Sequence, residues 1–418
     1  MLVSIPCLLG IVAPSAVLAM PAAPQTLSTR SVYTAPRLVN YVQTFHDVDG
    51  NPLDLTKLLS ENTQITHVNL AALHINDDPN GITLNDVNPN STYWDTVWSN
   101  VTALQNGGIK VLMMMGGAAP GSYPRLCGTA VPAVIVRNIS QLAAEICEEH
   151  GLTGRGIHQD EAYYSVLRDT IKYHKLDGMD LDIEEAVDVS CALALLQRLD
   201  TDFGSDFILT MAPVASALMP AGPGLSGFDY TTLDSQATSS TRPNGKLVTW
   251  YNAQFYNGWG DASTQVNYDA LITAGNWLPD RIVMGVLDNE NDGGSGFVPI
   301  STLMATIKQL RVNYPSFGCA VGWEYWDAGG DDGFAQPWEW VKAVAGSVFG
   351  VGIEMPAANL TNSPVPNAPP PFPLLTQTLV DLGATWPWAV WALNVSDGGL
   401  AEAEQLLLEA KQLVKLPL

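Results

Sequence analysis

Basic residues are scarce: 19 lysines and arginines stand against 42 aspartates and glutamates, a formal net charge of −23. So acidic a chain is repelled by polyphosphate, which excludes nucleic acid and anionic membranes as expected partners. Cysteine is scarcer still, with five in 418 residues. That is too few for a scaffold built on disulfides, and the scatter of Cys127, Cys147, Cys191 and Cys319 fits no zinc site. No metal or other cofactor is expected. One or two bridges, or buried thiols, are compatible with these four, and their pairings are equally open. Long uninterrupted apolar runs are also lacking. The nearest, residues 1–19, is broken by Pro6 and Pro14 and ends Val17-Leu18-Ala19, so it reads as a secretory signal and not as a membrane anchor. Asn-x-Ser/Thr triplets at Asn90, Asn100, Asn138, Asn359 and Asn394 agree with an extracellular route.

What the chain does have is apolar residue, 47% of its length, enough for one large domain and something small. Short β-rich runs cover residues 38–45, 67–75, 110–117, 176–184, 207–216, 248–257, 281–289 and 318–327. Helix-length segments lie between them, among them 134–149, 161–174, 192–201 and 300–313. Strands alternating with helices in this way predict an α/β fold, a (β/α)8 TIM barrel over residues 30–346, with chemistry at the C-terminal strand ends. Beyond it, Pro364, Pro366, Pro369, Pro370, Pro371 and Pro373 predict a stiff linker over 362–373. The tail, 374–416, reads as a short helical extension with breaks at Gly383 and Gly398-Gly399, and resembles ubiquitin-associated three-helix domains in shape.

The fourth of these strands carries an anomaly. In Asp177-Gly178-Met179-Asp180-Leu181-Asp182-Ile183-Glu184, a period of two sends Asp180, Asp182 and Glu184 to one face and Leu181 and Ile183 to the other. Buried carboxylates are costly, and a solvated acidic edge would not be interleaved with apolar residues. Asp177 has the opposite parity and, with Gly178, reads as structural at the strand entrance. On the sixth strand Trp250, Asn252, Gln254 and Tyr256 share one face, and the eighth contains Gly322-Trp323-Glu324-Tyr325-Trp326.

Asp177-Gly178-x-Asp180-x-Asp182-x-Glu184 resembles the active-site signature of glycoside hydrolase family 18. The resemblance implies retaining hydrolysis in which the substrate's own acetamido group is the nucleophile. It implies Glu184 as general acid and then base, and Asp182 as the residue that orients the acetamido nitrogen and stabilises the oxazolinium ion. Asp180 would share a proton with Asp182, the two titrating as a coupled pair. Gln254-x-Tyr256-Asn257 matches the family's Gln-x-Tyr-Asn, which implies Tyr256 as donor to the acetamido carbonyl and Gln254 and Asn257 as substrate contacts. Trp326 is implied as the floor beneath the sugar, with Trp323 and Tyr325 facing away into packing. Tyr41, Met211, Gly116 and Gly117 complete the implied substrate contacts. Where the family carries Ser-x-Gly-Gly this chain reads Met114-Met115-Gly116-Gly117, so an altered hydroxyl network is expected near Asp180.

Tyr41-Val42-Gln43-Thr44, residues 116–122, residues 212–218 and Gln254-Phe255-Tyr256 are similar to fungal secreted endo-β-N-acetylglucosaminidases of that family. The implied substrate is the core of N-linked glycans, high-mannose type favoured. Chitin oligosaccharides present the same linkage and are the alternative; a non-catalytic lectin is disfavoured because Glu184, Asp182 and Tyr256 are all present. Residues 289–318 are too few for a large subdomain inserted between the seventh and eighth strands, so an open site is expected. The expectation as a whole is a secreted monomer that acts on glycans without a cofactor.

Overall fold

The computed structural model describes residues 35–47, 49–127 and 160–350, together with positions 379, 389, 392, 393, 400, 401, 403 and 407. The expected signal (1–19), the linker (362–373), the helix expected over 134–149, Cys147, and the triplets at Asn138, Asn359 and Asn394 lie outside the described residues, as does most of the tail. The described tail positions are helical, and Leu379, Ala389, Ala392, Leu393, Ala403 and Leu407 are buried.

Eight parallel strands close into a barrel. They are β1 (Arg37–Val42), β2 (His67–His74), β4 (Lys110–Gly116), β5 (Gly178–Asp182), β6 (Ile208–Met211), β7 (Trp250–Gln254), β8 (Ile282–Leu287) and β9 (Cys319–Trp323), each paired with the next and β9 with β1. A short β3 (Thr83–Leu84), not foreseen in the sequence, pairs antiparallel with β2. The strands are apolar on both faces because both are covered: one by the barrel interior, the other by helices. Inside, Val39, Leu112, Met114, Ile208, Trp250, Val283 and Val321 form one cluster, while Met179, Leu181, Leu209 and Met211 belong to the larger cluster under the helices. At the N-terminal end of the strands Trp250 closes the interior, with the Arg37 guanidinium 4.4 Å from its ring centre and the His67 ring edge-on at 4.9 Å. The opposite end is left to the site.

Helix starts are set by side-chain caps. Asp160, Asp188 and Asp229 each accept a backbone N–H in the first turn of the helices Glu161–His174, Val189–Phe203 and Tyr230–Gln236. Gln336 and Glu339 make a reciprocal capping box on the helix Pro337–Phe349. Between β8 and β9 there are only a 3-10 turn, Glu290–Asp292, and the helix Ile300–Asn313, so no subdomain roofs the barrel there. Cys127 and Cys191 form a disulfide that ties the end of the helix Ser122–Cys127 to the start of the helix Val189–Phe203. Cys319 is a buried free thiol, pushed up to about 12 chiefly by burial. Asn100 is only 8% exposed inside the helix Asp95–Asn106, and its Nδ2 donates to the Leu53 carbonyl at 3.2 Å, so this triplet is not presented for glycosylation in the folded chain.

One ion-pair hub holds β7 and β8 against the helix layer. Arg281 donates to both oxygens of Asp234, at 2.6 and 3.0 Å, while Tyr251 donates to the same carboxylate at 2.9 Å and Lys246 lies 2.8 Å from it. Burial works to raise the Asp234 pKa, but Arg281, Lys246 and Tyr251 outweigh it and hold the carboxyl below the usual carboxylate range. Asp234→Ala strands Arg281 in the interior, and urea unfolding should show a loss of roughly 3–5 kcal/mol. Because the folded pKa is depressed, the carboxylate stabilises fully above its unfolded pKa and loses that contribution as pH falls through the folded value; the acid limb of stability should flatten in the variant.

Candidate active site

β5 is hemmed in at its start. A Cβ on Gly178 would lie 2.3 Å from the Ile208 carbonyl oxygen and 2.9 Å from Leu112, so only glycine lets β4 and β6 approach. Just before it Asp177 accepts from Gln105 Nε2 at 2.8 Å and from the Val111 N–H at 3.0 Å, and lies 2.8 Å from Lys110 Nζ. These bonds fix the register in which Asp180 and Asp182 point inward.

Asp180 is fully buried. Its Oδ2 accepts from the Tyr41 hydroxyl at 2.6 Å; its Oδ1 accepts from Asn252 Nδ2 at 3.0 Å and from the Thr210 hydroxyl. Burial raises its pKa, and the three donors oppose that rise. Asp182, one pleat nearer the mouth, has fewer protein donors. Burial first, then the charges of Glu184 and Asp180, push it well above the usual carboxylate range. Glu184 stands two residues past the strand end and is half-buried. A single amide nitrogen, Gln254 Nε2, lies 3.2 Å from Asp182 Oδ1, 3.0 Å from Glu184 Oε1 and 3.0 Å from the Ala212 carbonyl oxygen, and so joins the two acids to β6 and β7.

Asp182, Glu184 and Gln254 line an open cavity of about 450 Å³ at the C-terminal ends of the strands. Gly116 and Gly117 form one wall, both at positive φ; a Cβ on Gly116 would lie 2.1 Å from the Asp182 carbonyl oxygen. Glu185 pins the loop after them by accepting from the Gly121 N–H at 2.6 Å and the Tyr123 N–H at 3.0 Å. Tyr256 faces the cavity. Burial and the nearby Asp182 and Glu184 raise its pKa, so it is a neutral O–H donor, and no described residue accepts from it.

Of four implied contacts, two lie away from the cavity and two have their polar atoms engaged by neighbouring protein groups. Trp326 lies in the 3-10 turn Tyr325–Asp327 and is not part of the cavity wall; Trp323 is, and it packs edge-on against Tyr41 at 5.4 Å. β9 ends at Trp323, which shares the inward parity of Val321, so the outward orientation expected for Trp323 does not hold. Met211 is fully buried among the helix-facing residues because its neighbour Thr210 takes the inward position. The Tyr41 hydroxyl is committed to Asp180 and so supports the acid stack. Asn257 lines the cavity, but its Oδ1 accepts from the Gly294 N–H at 2.8 Å and the Ser295 N–H at 3.3 Å, holding the β8 loop in place. Met114, in the position of the family serine, is an apolar wall, and the hydroxyl near Asp180 comes from Thr210 instead.

That loop contributes a residue with no sequence signal. Asp292 lines the cavity beside Asn257 and Trp323, and its Oδ2 accepts from the Glu324 N–H at 2.9 Å. Burial raises its pKa to about 7, with Asp327 and Glu324 adding to the rise and the Glu324 N–H resisting it. Beneath it Asp288 is fully buried and accepts from Asn40 Nδ2 at 2.6 Å; a Cβ on Gly322 would stand 2.2 Å from both its oxygens.

No family model matches the sequence. The curated protein Chitinase 2 of Rhizopus oligosporus is 27% identical over 249 residues, 57% of this chain; the chain spans 38% of that relative's length. Among solved structures, the chain is similar to the chitinase ChiC of Aspergillus fumigatus, with 37% identity, a TM-score of 0.60 and coverage of 70% of this chain and 93% of that one. It is also similar to a fungal endo-β-N-acetylglucosaminidase from glycosyl hydrolase family 18, with 34% identity, a TM-score of 0.63 and coverage of 75% and 98%. Identity at this level over nearly the whole of both solved proteins, on the barrel whose β5 carries the acid stack, places the chain in glycoside hydrolase family 18.

Proposed function

We propose that this chain is a secreted endo-β-N-acetylglucosaminidase that hydrolyses the bond between the two core N-acetylglucosamines of N-linked glycans, high-mannose type favoured. The observation that carries the reaction class is the juxtaposition of Glu184, Asp182 and Tyr256 around one open cavity. Glu184 protonates the glycosidic oxygen. The acetamido carbonyl attacks the anomeric carbon, with Tyr256 donating to the carbonyl oxygen and Asp182 holding the N–H. Asp180 and Asp182 share a proton, which lets Asp182 become fully anionic as the oxazolinium charge develops. Glu184, now a carboxylate, takes a proton from water, which opens the ring with net retention. Trp323 supplies the apolar floor.

The fungal endo-β-N-acetylglucosaminidase supports the glycan reading, and so does the absence of a roofing subdomain between β8 and β9, since a branched substrate needs an open bowl. The similarity to the Aspergillus chitinase favours a second reading, hydrolysis of chitin oligosaccharides by the same steps.

Incubation with a high-mannose glycoprotein should release glycan ending in one N-acetylglucosamine. Cleavage of chitin oligosaccharides alone would move the assignment to the second reading, and inertness on both would remove the enzymatic one. Glu184→Gln should lower kcat by roughly 10²- to 10⁴-fold with KM little changed, read by the same release assay. Asp182→Asn should block oxazolinium formation more than its use; a preformed sugar oxazoline should still give transfer product with the folded variant, and none would contradict the role given to Asp182. Burial raises the Asp292 pKa to about 7, so above that pH a further negative charge stands at the cavity wall. A carboxylate formed beside a site that develops oxazolinium charge favours that ion, so kcat/KM should rise as pH rises through that value, and the step should vanish from the profile of Asp292→Asn.

A further inference from the structure

A second cavity, of about 470 Å³, lies apart from the acid centre, between the start of the helix Asp95–Asn106 and the end of the helix Glu161–His174. Its base is aromatic. The Trp98 indole and His174 imidazole stack with ring centres 3.7 Å apart and an interplanar angle of 20°, and Tyr173, 71% exposed, meets His174 edge-on. Its rim contains Asn90, the first residue of Asn90-Ser91-Thr92. Trp98 Nε1 donates to the Pro89 carbonyl at 2.8 Å, fastening the turn that carries Asn90 to the aromatic base.

Asn90 is exposed, and its Oδ1 lies 2.9 Å from His174 Nε2. Burial pulls the His174 pKa down to about 4, so at neutral pH the ring is uncharged and donates one hydrogen bond to that oxygen. In a planar amide this places Nδ2 on the other side of Cγ, free of the histidine. N-glycosylation consumes only Nδ2: one N–H bond and the bond from sugar C1 to a lipid-linked diphosphate break, an N–C1 bond forms, and the proton and the lipid diphosphate leave. Oδ1 keeps its acceptor role, so the His174 contact survives the modification.

We propose that Asn90 carries an N-linked glycan and that its first N-acetylhexosamine is seated in this cavity. The sugar's C–H face covers the exposed aromatic surface, and its hydroxyl and acetamido groups meet the polar rim, where Thr102 and Lys175 stand. Asn100, ten residues further on, offers the contrast: its Nδ2 is committed to the Leu53 carbonyl beneath a packed helix, and a sugar there is incompatible with the fold. The inference rests on the secretory route proposed above.

The test uses the full chain, secreted from eukaryotic cells behind a well-characterised leader, so that failure of its own leader is scored separately by replacing it. Peptide mass spectrometry on the folded protein should find hexosamine-bearing mass on the Asn90 peptide, a single residual N-acetylglucosamine included, and none on the Asn100 peptide. Thr92→Ala, which destroys the acceptor triplet but keeps Asn90 and its His174 contact, should lower the Tm of this material by a few degrees and leave unglycosylated bacterial protein unchanged. An unmodified Asn90 peptide, in cells that glycosylate a co-expressed secreted control, overturns the proposal. Modification with no Tm difference overturns the seating of the sugar.

Discussion

Putting a stack of carboxyls inside a barrel is the constraint from which the rest of this architecture follows. An isolated carboxylate in such an interior costs far more than the fold can absorb, so the innermost, Asp180, is surrounded by Tyr41 from β1, Thr210 from β6 and Asn252 from β7. Those donors come from strands far apart in sequence and meet only because the sheet closes. Asn252 is in turn oriented by Trp250, whose Nε1 donates to its Oδ1 at 2.8 Å, and Trp250 packs on Arg37 and His67 at the barrel's base. The support of the acid centre therefore runs the length of the interior. Donors grow fewer from Asp180 to Asp182, and that gradient leaves the outer acid with its proton affinity raised.

Strand periodicity made the fold and the acid stack legible in the sequence. Asp180 and Asp182 alternate with Met179 and Leu181 within β5, and the structure sends the two pairs to opposite faces. Periodicity was misread at Trp323, which faces the cavity at the end of β9, and it could not have placed Met211, whose neighbour Thr210 takes the inward position. Tyr41 and Asn257 were found at the site but in supporting positions, because a sequence gives the face a side chain shares and not the partner that claims its polar atom. Asp292 had no signal at all. It sits in a loop held by Asn257 and Glu324, and loops have no period from which to read orientation.

Acidic composition has a local counterpart. Asp288, Asp292, Glu324 and Asp327 lie together under one side of the mouth, and three of them have raised pKa values through burial and mutual repulsion. Glu324 anchors the cluster: it accepts from the Gln43 and Thr44 N–H groups and the Thr44 hydroxyl, all from the loop after β1. This cluster joins the β1, β8 and β9 loops into one rim. The opposite rim is joined differently, by glycines and by Glu185.

Glu184 and Glu185 are neighbours in sequence with unrelated partners: one faces the cavity, and the other grips the backbone of the loop after β4. A single peptide unit thus links the acid to the wall formed by Gly116 and Gly117. For anyone exchanging loops between relatives to alter which glycans are accepted, the segments after β4 and β5 form one indivisible cassette. A loop transplanted without its matching glutamate arrives without its anchor, and a shifted glutamate turns the acid with it.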